Sequence, residues 1–538
     1  MKGSCADPDG TPGQLGEACR TSADCPTGTS CTPDTQGYPG GFCTAECTVA
    51  AGCGADAACT PIGSAQLCTP TCNRDSQCRQ QYGCCPTLGD TCVPLAACTP
   101  AACTRPVVES ALPPAQVQKF GTKRAGDEVV FTVPDNTASL TIVQQAQIAT
   151  LNIVYQGSVT DNSAVPLSIT KPDGGLAYDD LDGGPSANPS PDGGIDPSGE
   201  YAFYGGGTPS TVAFTVPNTS TSLAEGVAPG TWKFKVSDYA YECTFVSGCT
   251  DGGTAENTYE VSVLTHPAGG GNTLAADFYI VADMTTTDGA PFTAANAATD
   301  PSVTRMVQSF KGLMSNAGIT ANIAFRDVSA SDRVRFGTNI SAQDTSPCSE
   351  LSQMFTLSGQ HPGNTMNVFL VQSLRSAASG GGTVVGIDGT IPGPSSMNGT
   401  VNSGAVVSAT DLFTSTQQSC GSSLNVAGCG PDRVAYIAAH ETGHFLGLFH
   451  TTEQEGADFD PLTDTPKCPC TACSSPTDRP HCGSTAVGAP FIAADRCVSL
   501  PSCGGGDNLM FWFLEAGISQ GLLTPQQGQV MRLNPLIQ

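Results

Sequence analysis

The feature that most limits how this chain can fold is the uneven distribution of its 27 cysteines over 538 residues. Sixteen of them lie in residues 1–103, which contain almost no periodic apolar run. A segment of this kind buries too little apolar surface to fold on a core alone, so it needs covalent cross-links. Cytosolic zinc modules usually repeat CxxC pairs, whereas the one CxxC pair here is Cys470 and Cys473. The sequence therefore predicts one or two disulfide modules formed in an oxidising compartment.

Loose repeats run through this Cys-rich segment, in the stretches EACRTSADCPTGTSC, AECTVAAGCGADAAC and PTCNRDSQCRQQYGCC. The segment could be a stable spacer, or a pro-segment that masks an active site. We favour the spacer because no residue stands out as an inhibitory group. Because the cysteine total is odd, at least one thiol is free or paired between chains if all the others are oxidised.

The charge balance excludes several classes of partner. The chain carries 48 acidic and 22 basic residues, a formal net charge of −26. Nucleic acids and anionic membrane surfaces require basic patches, which this composition does not favour. No apolar stretch reaches the length of a membrane span, and the start, MKGSCADPDG, is not a signal peptide. We expect a soluble, acidic, secreted protein whose leader peptide is not present in this chain.

Residues 104–265 change to short β-rich runs separated by turn signals such as KPDGG and APG. Alternating apolar residues between regular turns predict an antiparallel β-sandwich. The predicted strands are 128–133, 139–143, 149–155, 211–216, 231–238 and 258–264. The Gly/Asp/Pro-rich insert 174–200 is predicted to be a loop, with calcium binding by Asp179, Asp180 and Asp182 as the minor alternative.

After a predicted linker at 266–273, residues 274–538 have the pattern of an α/β domain. The helix predicted at 302–318 ends at Gly318, a suitable C-cap, and a second helix is predicted at 431–448. Strands are predicted at 275–284, 320–328 and 365–374, with an edge strand at 399–408 and a terminal helix at 523–535.

Three of the six histidines lie within eleven residues, in HETGHFLGLFH at 440–450. His440 and His444 are four residues apart, so they project from one face of the predicted helix and can hold one zinc ion. Glu441 follows the first ligand and can activate a water beside the metal without being a ligand. Gly447 allows the chain to leave the helix sharply, and His450 can then return to the metal. HExxH alone recurs by chance, but the full spacing predicts an open zinc site of the catalytic kind.

This motif resembles the metzincin zinc-binding motif. Metzincins carry a Met-turn beneath the metal, and GGGDNLMFW at 504–512 offers Met510 for it. The stretches TDTP at 463–466 and LTPQQGQVMRLNP at 523–535 are similar to the pappalysin-like group. Residues 104–265 resemble the pre-peptidase and P-type β-sandwich domains of bacterial secreted proteases. The resemblance implies a mixed twisted sheet with an active-site helix and a C-terminal helix.

One position departs from that family pattern. Some of these enzymes have a Tyr two residues after the Met-turn Met, near the metal, and this chain has Trp512 there. An indole N–H donates but does not ligate a metal, so no residue is assigned that role.

The resemblance also implies a calcium site after the third histidine, where Asp458, Asp460 and Asp464 lie. A solvated acidic loop is an equal alternative. Six cysteines crowd the same region, and disulfides are preferred to a second zinc site built from CPCTAC. They are Cys468, Cys470, Cys473, Cys482, Cys497 and Cys503.

These patterns predict a secreted zinc endopeptidase that acts on protein or peptide substrates, with Glu441 as general base. By analogy with the family, the substrate would pair in an extended form with the edge strand 399–408. Two alternatives remain: an inactive zinc-binding adhesin, and a latent enzyme whose N-terminal module blocks the cleft. An intact Glu441 argues against the first, since a pure binder needs no base.

Overall fold

The computed structural model describes most of the chain from Gln14 to Gln538. The positions outside the description are 1–13, 34–35, 37, 39, 49–52, 55, 63–64, 73–76, 80–81, 86–87, 95–107, 110–115, 125, 147–157, 180–210, 245–247, 252–257, 343–348, 376–383, 415–419, 455, 457–458, 470–491, 500–502 and 516. None of the helices in the described part has the length and apolar character that crossing a bilayer requires. The predicted strand 149–155 and the acidic residues Asp180 and Asp182 lie outside the described residues, and Asp179 ends a strand.

The Cys-rich segment folds as three disulfide-linked hairpins. In the first two repeats the first cysteine bonds the third and the second bonds the fourth, and the third repeat keeps this pattern apart from an additional cysteine, Cys85. The bonds are Cys19–Cys31, Cys25–Cys43, Cys47–Cys59, Cys53–Cys68, Cys72–Cys84 and Cys78–Cys92. The hairpins are β1 (Ser30–Thr32) with β2 (Phe42–Thr44), β3 (Ala57–Ile62) with β4 (Ala65–Pro70), and β5 (Tyr82–Cys85) with β6 (Thr91–Pro94). The predicted disulfide module is confirmed, and its loose sequence repeats are structural repeats.

Two antiparallel sheets follow and enclose one apolar core. A short strand, β7 (Val108–Glu109), precedes them and belongs to a separate two-stranded sheet. The strands of the two sheets are β8 (Val117–Arg124), β9 (Glu128–Val133), β10 (Thr137–Ala146), β11 (Ser158–Thr170), β12 (Leu176–Asp179), β13 (Thr211–Val216), β14 (Gly230–Thr244), β15 (Gly248–Asp251) and β16 (Thr258–Pro267), with helix α1 (Ser220–Glu225). One sheet has the order β13-β10-β16-β8; the other has β12-β11-β14-β15, with β9 also on β14. Alternate residues of β9 and β14 are buried between the sheets, as in Phe131 and Trp232. The β-sandwich architecture is therefore present, and β8, β11, β12 and β15 are additional to the predicted strands.

Strands enter the predicted linker 266–273 from both of its ends. Strand β16 continues to Pro267, and the next strand, β17 (Thr273–Ile280), begins at Thr273. Thr273 exchanges backbone hydrogen bonds of 2.9 Å with Gln538 in both directions. His266 Nε2 lies 2.9 Å from the carbonyl of Ile537. The connection is therefore a short turn attached to the last residues of the chain.

Residues 273–538 form a mixed sheet with helices on both faces. Its order is β18 (Thr320–Asp327), β17, β20 (Met366–Val371), β24 (Ala405–Ser408) and β22 (Gly386–Asp388), parallel except for β22. Smaller strands are β19 (Asn339–Ser341), β21 (Ser373–Arg375) and β23 (Met397–Asn398). The helices are α2 (Ala294–Ala297), α3 (Pro301–Asn316), α4 (Ala330–Phe336), α5 (Glu350–Phe355), α6 (Gly430–Phe445), α7 (Ala494–Ser499) and α8 (Pro525–Leu533), with a 3-10 turn at Thr356–Gln360. Phe278 belongs to the core beneath α3 and α6, and Tyr279 to the core beneath α4 and α5, as strand alternation requires.

The prediction of an edge strand at 399–408 is wrong. Only Ala405–Ser408 is a strand, and it lies between β20 and β22. The edge is β22, which runs antiparallel to β24 with Asp388 opposite Ala405. The physical reason is that β22 pairs back onto β24 across a long connection, which local periodicity does not reveal.

A buried ion pair holds α3 against the start of α6. Arg305 binds Asp432 through Nε–Oδ1 at 2.6 Å and a second guanidinium nitrogen at 2.7 Å to Oδ2. Asp432 also accepts from the Ser309 hydroxyl and the Asn425 backbone N–H. Burial raises the pKa of Asp432, but these donors and the charge of Arg305 outweigh it and hold the pKa below its usual value of 3.8. Removing the carboxylate charge would leave a largely buried cation without compensation.

We expect Asp432→Asn to lower the free energy of unfolding by about 3 kcal/mol at pH 7, as breaking a buried pair does. Because the folded-state pKa is depressed, this stabilisation is present above pH 3.8 and is lost as the pH falls through the folded-state pKa. Urea unfolding at pH 7 and pH 3 measures both effects. The control is Glu128→Gln, since the exposed Glu128–Lys233 pair contributes about 1 kcal/mol at most. Equal losses in the two variants would contradict a special role for the buried pair.

Candidate metal centre

Helix α6 carries the first two histidines of the predicted site into the interior. It begins with Pro431 in its first turn and ends at Phe445, close to the predicted bounds 431–448. A disulfide between Cys420 and Cys429 closes the loop just before it. Every residue from Val434 to Phe445 is buried, because α6 packs under the sheet and against α3. The helix is therefore a rigid support for its side chains.

The three histidines meet at one point. The Nε2 atoms of His440 and His444 are 3.1 Å apart, and those of His444 and His450 are also 3.1 Å apart. The Nε2 atoms of His440 and His450 are 3.2 Å apart. Among the described residues, this is the one group of three possible ligands that contains histidine; the other groups are disulfide-bonded cysteines.

The other nitrogen of each ring faces an oxygen. Nδ1 lies 2.7 Å from the Leu509 carbonyl in His440 and 2.8 Å from the Leu448 carbonyl in His444. In His450 it lies 2.9 Å from a carboxylate oxygen of Glu453. Carbonyl and carboxylate oxygens accept hydrogen bonds, so each Nδ1 carries the proton. The three Nε2 atoms therefore converge on one point, an arrangement that suits a bound cation.

The geometry of the group fits zinc. Three nitrogen ligands at about 2.0–2.1 Å in a tetrahedral arrangement lie about 3.3–3.4 Å from one another, close to the separations found here. Neutral imidazole nitrogens are common zinc ligands, and a second hydrogen bond at Nδ1 is the usual way to orient them. Three protein ligands leave a fourth position open, as in catalytic sites.

Burial keeps the first two rings neutral. It lowers the pKa of His440 to about 3 and that of His444 well below its usual value of 6.5, with further lowering from the charge of His450. Burial also lowers the pKa of His450, but the charge and hydrogen bond of Glu453 reverse the effect and raise it. Glu453 therefore stabilises positive charge at His450, whether that charge is a proton or a metal ion.

Gly447 has the conformation that the sequence motif predicts. Its φ is +107°, in the region that favours glycine, and its N–H donates to the His444 carbonyl at 2.8 Å. A Cβ there would also lie 3.4 Å from Val530 of α8. The turn directs the chain out of α6 so that His450 returns towards the other two ligands.

Met510, which the resemblance assigns to a Met-turn, packs against α6 between His440 and His444. It is fully buried, and a Cβ on Gly443 would come within 2.5 Å of its sulfur. Its N–H donates to Asn508 Oδ1 at 2.8 Å, and its carbonyl accepts from Thr451 at 2.9 Å. The turn also presents the Leu509 carbonyl to His440, so its backbone orients a ligand and its side chain packs the base of the site.

Glu441 lies next to the edge strand β22. It is 7% exposed, and a Cβ added to Gly386 would come within 2.4 Å of its Oε1 and 2.6 Å of Ile437. Burial raises the pKa of Glu441 above its usual range, and the charge of Asp388 raises it further. A carboxylate whose pKa is raised in this way is suited to proton transfer near neutral pH, and a nearby cation would favour its charged form.

Sequence reasoning missed three residues of this site: Glu453, Gly386 and Asp388. Glu453 had a usable signal, because an acid three residues after a predicted ligand can reach that ligand's second nitrogen. Gly386 and Asp388 had no local signal, since only the long-range pairing of β22 brings them close. Burial raises the pKa of Asp388 to about 7, and its Oδ2 is buried with no hydrogen-bond partner in the described part of the chain.

The residues predicted to bind calcium are in different environments. Asp458 lies outside the described residues. Both carboxylate oxygens of Asp464 are used at the start of α8, accepting from the Thr524 hydroxyl at 2.8 Å and the Gln526 N–H at 2.9 Å. Asp460 accepts from the Thr465 hydroxyl at 2.5 Å, and its pKa is raised to about 7 by burial. The calcium site remains a prediction.

Trp512 has a structural role. Its indole N–H donates to the Ile492 carbonyl at 2.8 Å, in an apolar cluster around Phe511.

This cluster also contains the disulfide Cys468–Cys497, which confirms that a disulfide is present in the Cys-rich loop before Met510. Cys503 is also disulfide-bonded. Cys468 is the first cysteine of CPCTAC, so its disulfide with Cys497 removes it from the alternative of a second zinc site. Cys470, Cys473 and Cys482 lie outside the described residues.

Comparison with known proteins adds little to this geometry. No family model and no curated protein matches the sequence. A solved structure of a family two carbohydrate esterase from Cellvibrio japonicus shares 10% identity with it, covering 51% of this chain and 80% of the esterase, with a TM-score of 0.10. A likeness this weak carries no argument, so the function has to be argued from the site itself.

Replacing Glu453 by alanine should weaken zinc binding without unfolding the protein. The substitution removes the acceptor that orients His450, and the loss of such an outer partner costs about 10- to 100-fold in metal affinity. Competition with a chelating dye would measure the dissociation constant. Glu225→Ala, at an exposed glutamate far along the chain, is the control and should bind zinc like the wild type. An unchanged affinity in Glu453→Ala would show that Glu453 does not support the ligand.

Gly386→Ala should reduce any activity that depends on Glu441 while leaving zinc content near one per chain. The added methyl group would collide with Glu441 Oε1 and Ile437, so the carboxylate or the edge strand has to move. Metal analysis and a turnover assay on the same preparation check this. Gly312→Ala, at a helical glycine with open space around it, is the matched control. Full activity in Gly386→Ala would mean that the contact with Glu441 is not important.

Proposed function

We propose that this protein is a secreted zinc-dependent endopeptidase of the metzincin type, similar to the pappalysin-like group. The observation that carries the proposal is the meeting of three imidazole Nε2 atoms within 3.2 Å, next to the buried carboxylate of Glu441. The disulfides and the absence of a spanning helix among the described residues are consistent with an extracellular location.

The residues divide the chemistry between them. His440, His444 and His450 would hold the zinc ion, with their orientation set by Leu509, Leu448 and Glu453. When bound, zinc supplies a Lewis acid that makes a water more acidic and polarises a carbonyl. Glu441 takes the proton from the attacking water and delivers it to the leaving amine. Its burial excludes bulk water, which would otherwise compete for that proton.

A peptide substrate would pair with β22 instead of the 399–408 segment first expected. Gly386–Asp388 is the edge of the sheet, and an edge strand has unpaired backbone groups that an extended peptide can use. Gly386 lies against Glu441, so a peptide added to this edge would have a backbone carbonyl near the histidines. A structure with a bound peptide inhibitor would test this, and an inhibitor seated away from β22 would overturn it.

The decisive experiment combines metal content with proteolysis in the wild type and in Glu441→Ala. We expect about one zinc per chain in both proteins, and cleavage of casein or a peptide in the wild type only. Loss of a positioned general base lowers the rate about 100- to 10,000-fold. His444→Ala is the companion variant, which should lose both zinc and activity because it removes a ligand.

The two alternatives give different results in the same experiment. Zinc without cleavage in the wild type, even after removal of residues 1–103, would leave a metal-stabilised adhesin. Cleavage that appears only after that removal would indicate a latent enzyme. The truncation should stop at 103, because the β-sandwich contacts the rest of the chain at α1, where the Ser220 hydroxyl accepts from the Thr463 N–H and donates to Gln526 Oε1.

A further inference from the structure

The segment between the edge strand β22 and its neighbour β24 passes through the junction with the β-sandwich. Residues 390–404 of this segment are buried. Met397 belongs to a cluster with Val143, Ala213 and Leu264 of the β-sandwich. The wall of the proposed cleft therefore packs against the β-sandwich, which precedes it in the sequence by more than a hundred residues.

Backbone pairing reinforces this junction. Strand β7, Val108–Glu109, lies before the β-sandwich in sequence, yet it pairs antiparallel with β23, Met397–Asn398. The connection between the Cys-rich module and the β-sandwich is thus attached to the same segment. These residues are far apart in sequence and meet only in the folded protein. The pairing of β7 with β23 therefore fixes the position of residues 390–404 separately from the hydrogen bonds of the five-stranded sheet.

Asn402 joins the β-sandwich to the exit of the edge strand. Its Oδ1 accepts from the backbone N–H of Thr211, the first residue of β13, at 3.0 Å. Its Nδ2 donates to the carbonyl of Gly389, the residue after β22, at 3.0 Å. The orientation of the amide is determined, because a backbone N–H only donates and a carbonyl only accepts. Asn402 is 6% exposed, so water does not readily replace either bond.

The chain of contacts continues from Gly389 to the general base. The Gly389 N–H donates to the Gly404 carbonyl at 3.0 Å, so this residue is held from both sides. Three residues earlier, Gly386 lies against Glu441. A shift of Gly389 would therefore move the edge strand relative to Glu441 and the histidines.

We propose that Asn402 is a positioning residue that couples the β-sandwich to the edge strand, which makes the β-sandwich a working part of the peptide-binding cleft. This inference rests on the proposed endopeptidase function for its kinetic consequence. It does not touch the zinc ligands or Glu441, so its effect should fall on substrate binding rather than on the chemical step.

The test is Asn402→Asp in the full chain, which keeps the acceptor for Thr211 and removes only the donor to Gly389. We expect KM for a peptide substrate to rise about three- to ten-fold, the effect of losing one buried hydrogen bond, while kcat changes less than about two-fold. Amide hydrogen exchange in residues 384–391 should become faster. If Asn402→Asp does not fold, Asn402→Ala, which adds no charge, replaces it.

Asn398→Asp is the matched control. Asn398 is buried in the same segment, accepts from Asn367 at 3.3 Å and donates to the Gly363 carbonyl at 3.1 Å, away from the edge strand. It should leave KM and the exchange of residues 384–391 near wild type. The same rise in KM and the same faster exchange in both variants would overturn the proposal, because any buried amide in the segment would then have this effect.

The outcomes separate this inference from the proposed function. Absence of cleavage by the wild type would contradict the endopeptidase, and the hydrogen exchange of residues 384–391 would still test the coupling. A cleaving wild type, together with unchanged KM and unchanged exchange in Asn402→Asp, would overturn the coupling and leave the endopeptidase intact.

Discussion

The mutual approach of three imidazole nitrogens is the interaction on which the rest of the site depends. Without a cation, three lone pairs about 3.1 Å apart repel one another, and only the hydrogen bonds at Nδ1 and the surrounding packing hold the rings in place. Those restraints come from the Met-turn, the end of α6 and Glu453, three separate parts of the chain. A metal ion bound at this point would remove that repulsion, so its binding would be coupled to the folding of this region.

The local patterns in the sequence predicted much of the fold and most of the site. The β-rich runs gave β9 and β13 with their observed bounds; β9 has one face on the core, whereas β13 is buried on both faces. The helix of the zinc motif and the break at Gly447 followed from helical spacing and from the freedom of glycine at positive φ. The cysteine repeats were visible too, but their alternating disulfide pairing needed the structure, since spacing alone allows many connectivities.

The failures share a physical cause: each depended on contacts between residues far apart in sequence. Strand β24 was expected at the edge of the sheet, but β22 pairs with it across the 389–404 segment and takes that place. Asp388 carries no local signal because its position beside the site exists only after that pairing. The linker at 266–273 was assigned from its glycines. In the structure, the backbone of Thr273 is hydrogen-bonded to that of Gln538, a contact that the local sequence does not reveal.

Several hydrogen bonds join the β-sandwich to the α/β part, two regions that the sequence pattern separates. The Ser139 hydroxyl donates to the Leu533 carbonyl, the Thr211 N–H donates to Asn402, and His266 faces Ile537. Each contact attaches the β-sandwich to a segment of the α/β part: the end of α8, the exit of the edge strand, or the last residues of the chain. A composition shift marks where one type of secondary structure gives way to another, but it does not mark where cooperative packing stops. The β-sandwich and the α/β part share buried hydrogen bonds, so a substitution in one part should change the stability of the other.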